Sequence, residues 1–326
     1  MKILVTGSAG HLGEALMRTL GTRHDLLGAD IKPSAYTQAV GSIAERAFVR
    51  DCLRGVDAVL HTATLHKPHV ATHTRQDFID TNISGTLNLL EEAVLAGVKS
   101  FVFTSTTSTY GHALNPVGAA PAVWVDEDLV PVPKNIYGVT KIAAESLCDL
   151  VHRRDKLPCL ILRTSRFFPE ADDHAGIREA YDDTNTKANE YLYRRVELDD
   201  VVSAHVCALE RAAALGFGRY VISATTPFTK HDLAALRTHA PEVVRRHVPA
   251  YAEEYARRDW KMFQDIGRVY DNSRARRDLG WQPRTDFAAL IERLQRGGDA
   301  RSELARSIGV KGYHEEVFEN GPFPLE

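Results

Sequence analysis

The sequence predicts an α/β fold, in which a doubly wound parallel sheet is joined to a smaller, mostly helical C-terminal lobe. Over residues 1–165, short and almost continuously apolar runs alternate with segments of helical periodicity. Strands that are buried on both faces of a parallel sheet have this apolar composition, and the intervening helices cover the two faces. After residue 165 the alternation ends, and the segment 167–194 is polar and only weakly periodic. This change of pattern predicts where the second lobe begins.

The individual elements follow from the same patterns. Predicted strands cover residues 2–6, 25–30, 56–62, 100–106, 158–164 and 219–224. Predicted helices cover residues 11–20, 76–97, 135–154, 199–213, 270–281 and 286–294. We therefore assign residues 1–165, with 199–224 returning to them, to a sheet domain, and residues 166–198 and 225–326 to a substrate-binding lobe.

The composition is that of an ordinary globular chain and argues against several classes of function. Of the 326 residues, 44% are hydrophobic and 25% are charged, with a formal net charge of -3, so we expect neither a nucleic-acid nor a membrane partner. The four cysteines are far apart and form no C-x-x-C pair, which predicts neither a disulfide framework nor a zinc site. Apolar runs are too short to span a membrane, and a first strand at residue 2 leaves no room for a signal peptide. We expect a reduced, cytoplasmic protein.

Three glycines follow the first predicted strand in the segment TGSAGHLG, at Gly7, Gly10 and Gly13. The first allows a tight turn, the second lets the backbone approach a pyrophosphate, and the third allows close packing of helix and sheet. The N-terminus of the following helix offers free N–H groups and a partial positive charge to phosphates. The segment predicts a dinucleotide site.

Asp30 ends the second predicted strand, 20 residues after Gly10. A carboxylate in this position accepts hydrogen bonds from the adenosine ribose hydroxyls and repels a 2′-phosphate. The nearby Lys32 weakens this preference slightly, because a cation can receive such a phosphate. The predicted cofactor is NAD rather than NADP.

Tyr137 and Lys141 are four residues apart at the start of a predicted helix, so they share one helical face. A tyrosine phenol has a pKa near 10 in water, which is too high for a general base at neutral pH. We expect the Lys141 ammonium to lower the pKa of Tyr137. The preceding segment FTSTTSTYG ends a strand in hydroxyl residues, which strengthens the prediction of a catalytic site.

Together these features resemble the extended short-chain dehydrogenase/reductase superfamily, in its NAD-dependent epimerase/dehydratase family. The resemblance extends over nearly the whole chain and is carried by Asp30 and by the segments TGSAGHLG, VDAVLHTAT, DTNISGTLNLLEEA, VFTSTTSTYG, YGVTK and ARRDLGWQP. It implies a Rossmann sheet, NAD as cofactor and a sugar or nucleotide-sugar substrate. It also implies a homodimer in which the apolar stripes of residues 85–96 and 142–151 pack as a four-helix bundle.

The resemblance further assigns roles to individual residues. Tyr137 matches the acid/base and Lys141 its partner, and Thr106 matches the residue that hydrogen-bonds the substrate oxygen. Ser105 is expected beside the nicotinamide, and Asn82 is expected to support the sheet near the site. The predicted cofactor contacts are Gly7, Ala9, Gly10, His11, Leu12, Gly13, Asp30, Ile31, Ser42, Ile43, Thr62, Ala63, Thr64, Asn82, Thr104, Ser105, Tyr137, Lys141 and Thr164.

The residues that follow Thr106 narrow the reaction. The family's 4,6-dehydratases carry an Asp-Glu pair directly after the catalytic threonine, where this chain has Thr107 and Ser108. The glutamate of the decarboxylases and the cysteine of the 3,5-epimerases are also missing from this stretch. A 4-epimerase, a ketoreductase and a sugar dehydrogenase remain, and we expect an epimerase-type enzyme first.

The predicted substrate side departs from the nucleotide-sugar pattern. LRTSRFFPEADD lacks the asparagine and glycine of the F-N-x-x-G segment, whereas Phe168-Pro169-Glu170 and His66-Lys67-Pro68 resemble uronate dehydrogenases. A dehydrogenase of a free sugar or uronate is therefore the alternative, and an NAD-binding protein without turnover is a third. Arg166 pairs either with a carboxylate or phosphate of the substrate or with a nearby acid of residues 170–173. The predicted substrate contacts are Lys67, Thr106, Thr107, Arg166, Phe167 and Arg195.

Four histidines, His61, His66, His69 and His73, lie within thirteen residues. Metal sites need converging ligands, and no Cys, Asp or Glu lies among these four. We predict no metal, and contact with the substrate is the better use of His66.

Overall fold

The computed structural model describes residues 1–316 and 318, so that residue 317 and residues 319–326 of the predicted lobe lie outside the described part. The strands are β1 Lys2–Thr6, β2 Asp25–Asp30, β3 Ala39–Val40, β4 Ala58–His61, β5 Ser100–Thr106, β6 Val123–Val125, β7 Cys159–Thr164, β8 Phe217–Ile222 and β9 Arg268–Tyr270. Seven of them form one sheet in the order β3-β2-β1-β4-β5-β7-β8, and each neighbouring pair is parallel. The predicted doubly wound parallel sheet is confirmed.

The helices are α1 His11–Leu20, α2 Arg46–Cys52, α3 Arg75–Phe78, α4 Gly85–Ala96, α5 Ile136–Asp155, α6 Ala175–Ala180, α7 Asp183–Glu190, α8 Leu198–Leu215, α9 Leu233–Leu236, α10 Ala240–His247, α11 Tyr251–Arg258, α12 Ser273–Leu279, α13 Phe287–Gln295 and α14 Glu303–Ile308. The helix predicted over 76–97 is interrupted, because a π-helical turn, Ile79–Ser84, separates α3 from α4. Throughout the described residues, each helix is too short or too polar to cross a membrane.

The main sheet is buried on both faces because its strand residues alternate in direction. On β1, Ile3 and Val5 pack with Leu16 of α1 and with residues of α8 on one face. Leu4 packs on the opposite face with Leu89 of α4 and with residues of α5. The continuous apolar pattern of the predicted strands therefore reflects two separate cores.

Apart from the main sheet, the structure has a third core and a small sheet that the sequence did not predict. β6 and β9 pair in parallel, with Trp124 opposite Val269. Each strand has only three residues, and part of β9 lies in the segment predicted as helical, so periodicity could not reveal the pair. The core beside it includes Leu236, Val244 and Phe287 from three helices.

Candidate active site

A cavity of about 1310 Å³ lies at the carboxyl edge of the main sheet. It opens where the strand order reverses beside β1, which is the usual ligand position in open α/β sheets. The predicted cofactor contacts that line it are Gly7, Ala9, Gly10, His11, Leu12, Gly13, Asp30, Ile31, Ser42, Ile43, Thr62, Ala63, Thr64, Thr104, Ser105, Tyr137 and Thr164. The predicted substrate contacts that line it are Lys67, Thr106, Thr107, Arg166 and Phe167. Most of the predicted site residues therefore surround one cavity.

The glycine turn is closely packed against its neighbours. Gly7 has a φ of +74°, and a Cβ there would lie 2.7 Å from the Ala63 nitrogen. A Cβ on Gly13 would lie 1.9 Å from the Gly7 carbonyl oxygen, so a side chain at either glycine would displace backbone. These two positions require glycine for the turn and for the approach of α1 to the sheet.

Gly10 is the N-cap of α1 and faces the cavity. Within the described part of the chain, no acceptor is found for the N–H groups of His11, Leu12 and Gly13 in the first turn of α1. Free N–H groups at a helix N-terminus bind phosphate oxygens. This turn therefore fits the pyrophosphate of NAD.

Asp30 lies at the carboxyl end of β2 on the cavity wall. Its carboxylate accepts hydrogen bonds from the Ala9 nitrogen at 3.0 Å and from the Lys32 nitrogen at 2.9 Å. A carboxylate has about four acceptor positions, so two backbone donors leave capacity for ribose hydroxyls. Asp30 is thus fixed in place beside the glycine turn and fits the ribose of NAD.

Tyr137 and Lys141 are buried in the first turns of α5, whose N-cap Asn135 accepts a hydrogen bond from the Gly138 nitrogen at 3.2 Å. Lys141 does not line the cavity; its Nζ donates to the Thr104 carbonyl at 2.7 Å. Burial lowers the pKa of Lys141 to about 7. Its ammonium is therefore directed at the end of β5.

The expectation that Lys141 lowers the pKa of Tyr137 is not met by this arrangement. Burial raises the pKa of Tyr137, and the group that opposes this effect is the hydroxyl of Thr106, through a hydrogen bond. The physical reason is that the Lys141 ammonium donates its hydrogen bond to the Thr104 carbonyl and not to the Tyr137 hydroxyl. Thr106 also accepts a hydrogen bond from the Ser108 nitrogen at 3.0 Å, which fixes its hydroxyl at the end of β5.

A buried ion pair supports these residues and was not predicted. Glu145 and Arg163 are 2% and 5% exposed in their side chains, and their closest charged atoms are 2.7 Å apart. Ser105, which also lines the cavity, donates its hydroxyl to Glu145 at 2.6 Å. Glu145 lies four residues after Lys141 on the same helical face, but this spacing does not indicate a pair with Arg163, which lies in β7.

Asn82 belongs to the π-helical turn and does not line the cavity. Its amide oxygen accepts from the Leu65 nitrogen at 2.8 Å and the Thr64 hydroxyl at 2.9 Å, and its amide nitrogen donates to the Thr140 hydroxyl at 3.0 Å. Asn82 therefore ties the loop after β4 to α5, so that its placement supports the cavity wall without direct contact.

Arg166 lies at the end of β7, 3.3 Å from both Asp172 and Asp173. Of the two predicted partners of Arg166, a substrate anion or a nearby acid, the structure shows the nearby acids. Lys67 also pairs with Asp173, and Arg194 pairs with Asp172. Burial opposes ionisation of Asp173, but Lys67 and Arg166 together lower its pKa to about 2.

The structure places Arg194, and not Arg195, on the wall of this cavity. Arg195 is buried, and its Nε donates to Glu190 at 2.8 Å while another nitrogen donates to the Phe168 carbonyl at 3.1 Å. The prediction of Arg195 as a substrate contact is thus at odds with its position, because its side chain is buried and does not reach this cavity.

The sequence also missed a contribution from residues 311–316, which line the cavity after the last helix. The Tyr313 ring stacks on His66 with centroids 5.3 Å apart, and the His66 ring is 5.1 Å from that of Tyr137. Burial lowers the pKa of His66 well below its usual value, so its imidazole is neutral. His66 and Tyr313 form an aromatic wall beside Tyr137.

Three of the four histidines, His66, His69 and His73, line the cavity, whereas His61 does not. His61 is buried between the hydroxyls of Thr6 and Thr86, at 2.8 and 3.0 Å. Over residues 1–316 and 318, no three His, Cys, Asp or Glu side chains are grouped to hold a metal ion.

The burial of Lys141 predicts a pH dependence of stability. Its pKa is about 7 in the folded chain, against an ordinary value of 10.5. Between these values the unfolded chain binds more protons, so this group makes the free energy of unfolding rise with pH, by at most about 1.4 kcal/mol per pH unit. Urea denaturation from about pH 6.5 to about pH 9.5 is expected to show this rise in the wild type and to lose it in Lys141→Met. If the free energies of unfolding of the wild type and Lys141→Met changed equally with pH, the assignment of this dependence to Lys141 would be wrong.

Comparison with known proteins decides the family. The NAD dependent epimerase/dehydratase family matches residues 3–223 of this chain. The protein belongs to this family. This epimerase/dehydratase family member is therefore an NAD-dependent enzyme, as the glycine turn and Asp30 predicted.

Two relatives show how similar this chain is in sequence to known proteins of related sequence. It is 28% identical to a UDP-glucose 4-epimerase of Rhizobium meliloti (strain 1021), over 89% of this chain and 94% of the relative. It is 26% identical to "Sterol demethylase protein B" of Methylococcus capsulatus, over 90% and 97% of the two chains. Similarity at this level extends over nearly the whole length of both relatives, and their names indicate different chemistry.

Solved structures share the fold of this epimerase/dehydratase family member. A short-chain dehydrogenase/reductase superfamily protein from Agrobacterium tumefaciens, with bound NAD, has a TM-score of 0.63 at 23% identity and covers 91% of this chain and 98% of its own. The UDP-glucose 4-epimerase of Thermotoga maritima has a TM-score of 0.60 at 23% identity, with 91% and 99% covered. The similarity spans both the main sheet and the C-terminal lobe.

Proposed function

We propose that this protein is an NAD-dependent, epimerase-type enzyme that inverts the C4 centre of a sugar carried on a nucleotide, with Tyr137 as acid/base. The observation that carries the proposal is the position of Tyr137, which lines the cavity beside Thr106 at the end of β5. The relatives named as UDP-glucose 4-epimerases support this choice among the reactions of the family.

The chemistry that bound NAD would supply is reversible hydride transfer at the sugar carbon. The glycine turn and Asp30 would hold the pyrophosphate and adenosine ribose of NAD. Tyr137 would take the proton of the C4 hydroxyl and give it back, and Thr106 would hydrogen-bond the same oxygen. The hydride and this one acid/base suffice for epimerisation, which agrees with Thr107 and Ser108 in place of a second acid/base pair.

A dehydrogenase of a free sugar or uronate is the second candidate. The observation that favours it is the cationic wall formed by Lys67, Arg166 and Arg194. Such a wall suits a sugar acid, but the acids Asp172 and Asp173 already neutralise much of it. An NAD-binding protein without turnover is the third candidate, and the retention of Thr106, Tyr137 and Lys141 argues against it.

Thermal shift and NADH absorbance separate the candidates. The protein is assayed with NAD and UDP-glucose, UDP-N-acetylglucosamine, glucuronate or glucose, since a ligand that binds the folded state raises the melting temperature. We expect stabilisation by a nucleotide sugar, formation of its C4 epimer and no net NADH. NADH produced in proportion to added glucuronate would instead establish the dehydrogenase.

We also propose a homodimer in which a second copy covers the outer faces of α4 and α5. Val139 and Leu150 of α5 are exposed, and their spacing of eleven residues puts them on one helical face. Leu95 of α4 is exposed as well. A mass of 36.2 kDa in light scattering, that of a single chain, would contradict this dimer.

A cytoplasmic location is likewise a proposal. Cys52, Cys148, Cys159 and Cys207 are all free thiols in the structure, which suits a reducing compartment. Recovery of the protein in an oxidising compartment after cell fractionation would contradict it.

A further inference from the structure

Seven lysine and arginine side chains line the cavity among the described residues, and five of them are Lys67, Lys134, Arg166, Arg194 and Arg268. Three of these, Lys67, Arg166 and Arg194, form ion pairs with Asp172, Asp173 and Glu190. Of these five cations, Lys134 and Arg268 remain.

Neither of these two side chains has a carboxylate within 4.0 Å among residues 1–316 and 318. The guanidinium of Arg268 lies 5.4 Å from the centroid of the Tyr193 ring. Its Nε is buried and finds no hydrogen-bond acceptor in the described part of the protein. A buried donor without a partner is costly, so a ligand oxygen that accepts from it would be stabilising.

The two cations also act on each other. Lys134 is exposed at the cavity; desolvation lowers its pKa first, and the positive charges of Arg268 and Lys67 lower it further. Like charges that line one cavity repel each other, and an anion bound beside them would relieve the repulsion. The arrangement is therefore complementary to a negative group.

The two residues come from different parts of the fold. Lys134 directly precedes Asn135, the N-cap of α5, and is three residues before Tyr137. Arg268 begins β9, whose Tyr270 packs with Tyr110 and with Val221 of β8. The glycine turn follows β1, on the other side of β5 in the sheet order. The two cations thus reach the cavity from the segment before α5 and from the small sheet, and not from the glycine turn.

We infer that Lys134 and Arg268 form a subsite for an anionic group of the substrate, either a phosphate or a carboxylate attached to the sugar. This inference rests on the proposed function for the identity of the sugar. Arg268 supplies a planar guanidinium that accommodates two oxygens of one anion, and Lys134 supplies a compact charge. Phosphate and carboxylate share this chemistry, so the ligand series must distinguish them.

Titration calorimetry on the NAD-loaded enzyme tests the subsite. The ligands are UDP-glucose for a phosphate, glucuronate for a carboxylate and glucose as the neutral control. The variants are Lys134→Met with Arg268→Met, the charge-conserving Arg268→Lys, and Lys99→Met as a matched control, since Lys99 is exposed and does not line the cavity.

We expect the wild type to bind one anionic ligand more tightly than glucose, with an affinity that falls as salt is added. The double methionine variant should lose at least about 10-fold of that affinity, whereas Arg268→Lys should retain part of it and Lys99→Met all of it. If the double variant loses affinity for UDP-glucose, the bound group is a phosphate; if it loses affinity for glucuronate, the group is a carboxylate. NAD binding and the melting temperature should stay unchanged, which separates loss of the subsite from loss of folding.

Equal binding of anionic and neutral ligands by the wild type would overturn the inference, as would unchanged anion affinity in the double variant. The proposed function fails separately. If the charge-dependent binding is seen but no bound sugar is turned over, the subsite stands and the epimerase assignment does not.

Discussion

Replacing Tyr137 by phenylalanine is expected to lower turnover by about 10²–10⁴-fold, the usual contribution of a general acid/base. The change removes the hydroxyl that would move the C4 proton and leaves the aromatic ring in its buried position against His66. Binding of NAD should persist, because the glycine turn and Asp30 are untouched. Steady-state turnover and titration of the cofactor measure the two effects on one preparation.

Tyr220→Phe provides the matched control for Tyr137→Phe. Tyr220 is buried in β8 but packs in the core on the α8 side and does not line the cavity. The same loss of one hydroxyl should leave turnover close to that of the wild type. Near-wild-type turnover in Tyr137→Phe would exclude Tyr137 as the acid/base.

Glu145→Ala is expected to lower the free energy of unfolding by about 3–5 kcal/mol, because it leaves the Arg163 charge buried without its carboxylate. Arg163 makes three hydrogen bonds to Glu145, between 2.7 and 3.2 Å, and Ser105 loses its acceptor as well. Urea denaturation followed by circular dichroism measures the change.

Glu91→Ala is the control for Glu145→Ala, since Glu91 pairs with Arg46 at the surface and both side chains are about half exposed. Exposed pairs contribute little to stability, so its effect should be much smaller. Equal destabilisation by the two substitutions would show that the buried pair does not support the active-site strands.

The features that the sequence could predict are those in which neighbouring residues carry the information. Gly7, Gly10 and Gly13 lie within seven residues, and Tyr137 and Lys141 are four residues apart on one helix, so spacing alone relates them. The order of alternating strands and helices is also local, and it leads directly to the parallel sheet.

Contacts between distant segments could not be predicted in this way. The ring of Tyr313 meets His66 across 247 positions of the chain, and no periodicity connects them. The pairing of β6 with β9 brings Trp124 opposite Val269, again from remote segments. Arg268 is the first residue of β9 and lines the cavity, so its role as a cation of the site could not be predicted without this pairing.

The choice between Arg194 and Arg195 shows a different limit. Arg195 forms an isolated parallel bridge with Arg166, and in extended backbone adjacent side chains point to opposite sides. The bridge therefore directs Arg195 into the protein and Arg194 to the cavity. The segment around these two arginines is polar and only weakly periodic, so its sequence does not indicate which of the two faces the cavity.

The most direct test of the proposed epimerisation follows a deuterium label. UDP-glucose and UDP-N-acetylglucosamine, each deuterated at C4, are incubated with the holoenzyme without added NAD, and the products are analysed by mass spectrometry and NMR. The account predicts that one of them gives its C4 epimer with the deuterium still at C4 and with no accumulation of NADH. Absence of the epimer from both sugars, or loss of deuterium from C4 in the epimer, would contradict it.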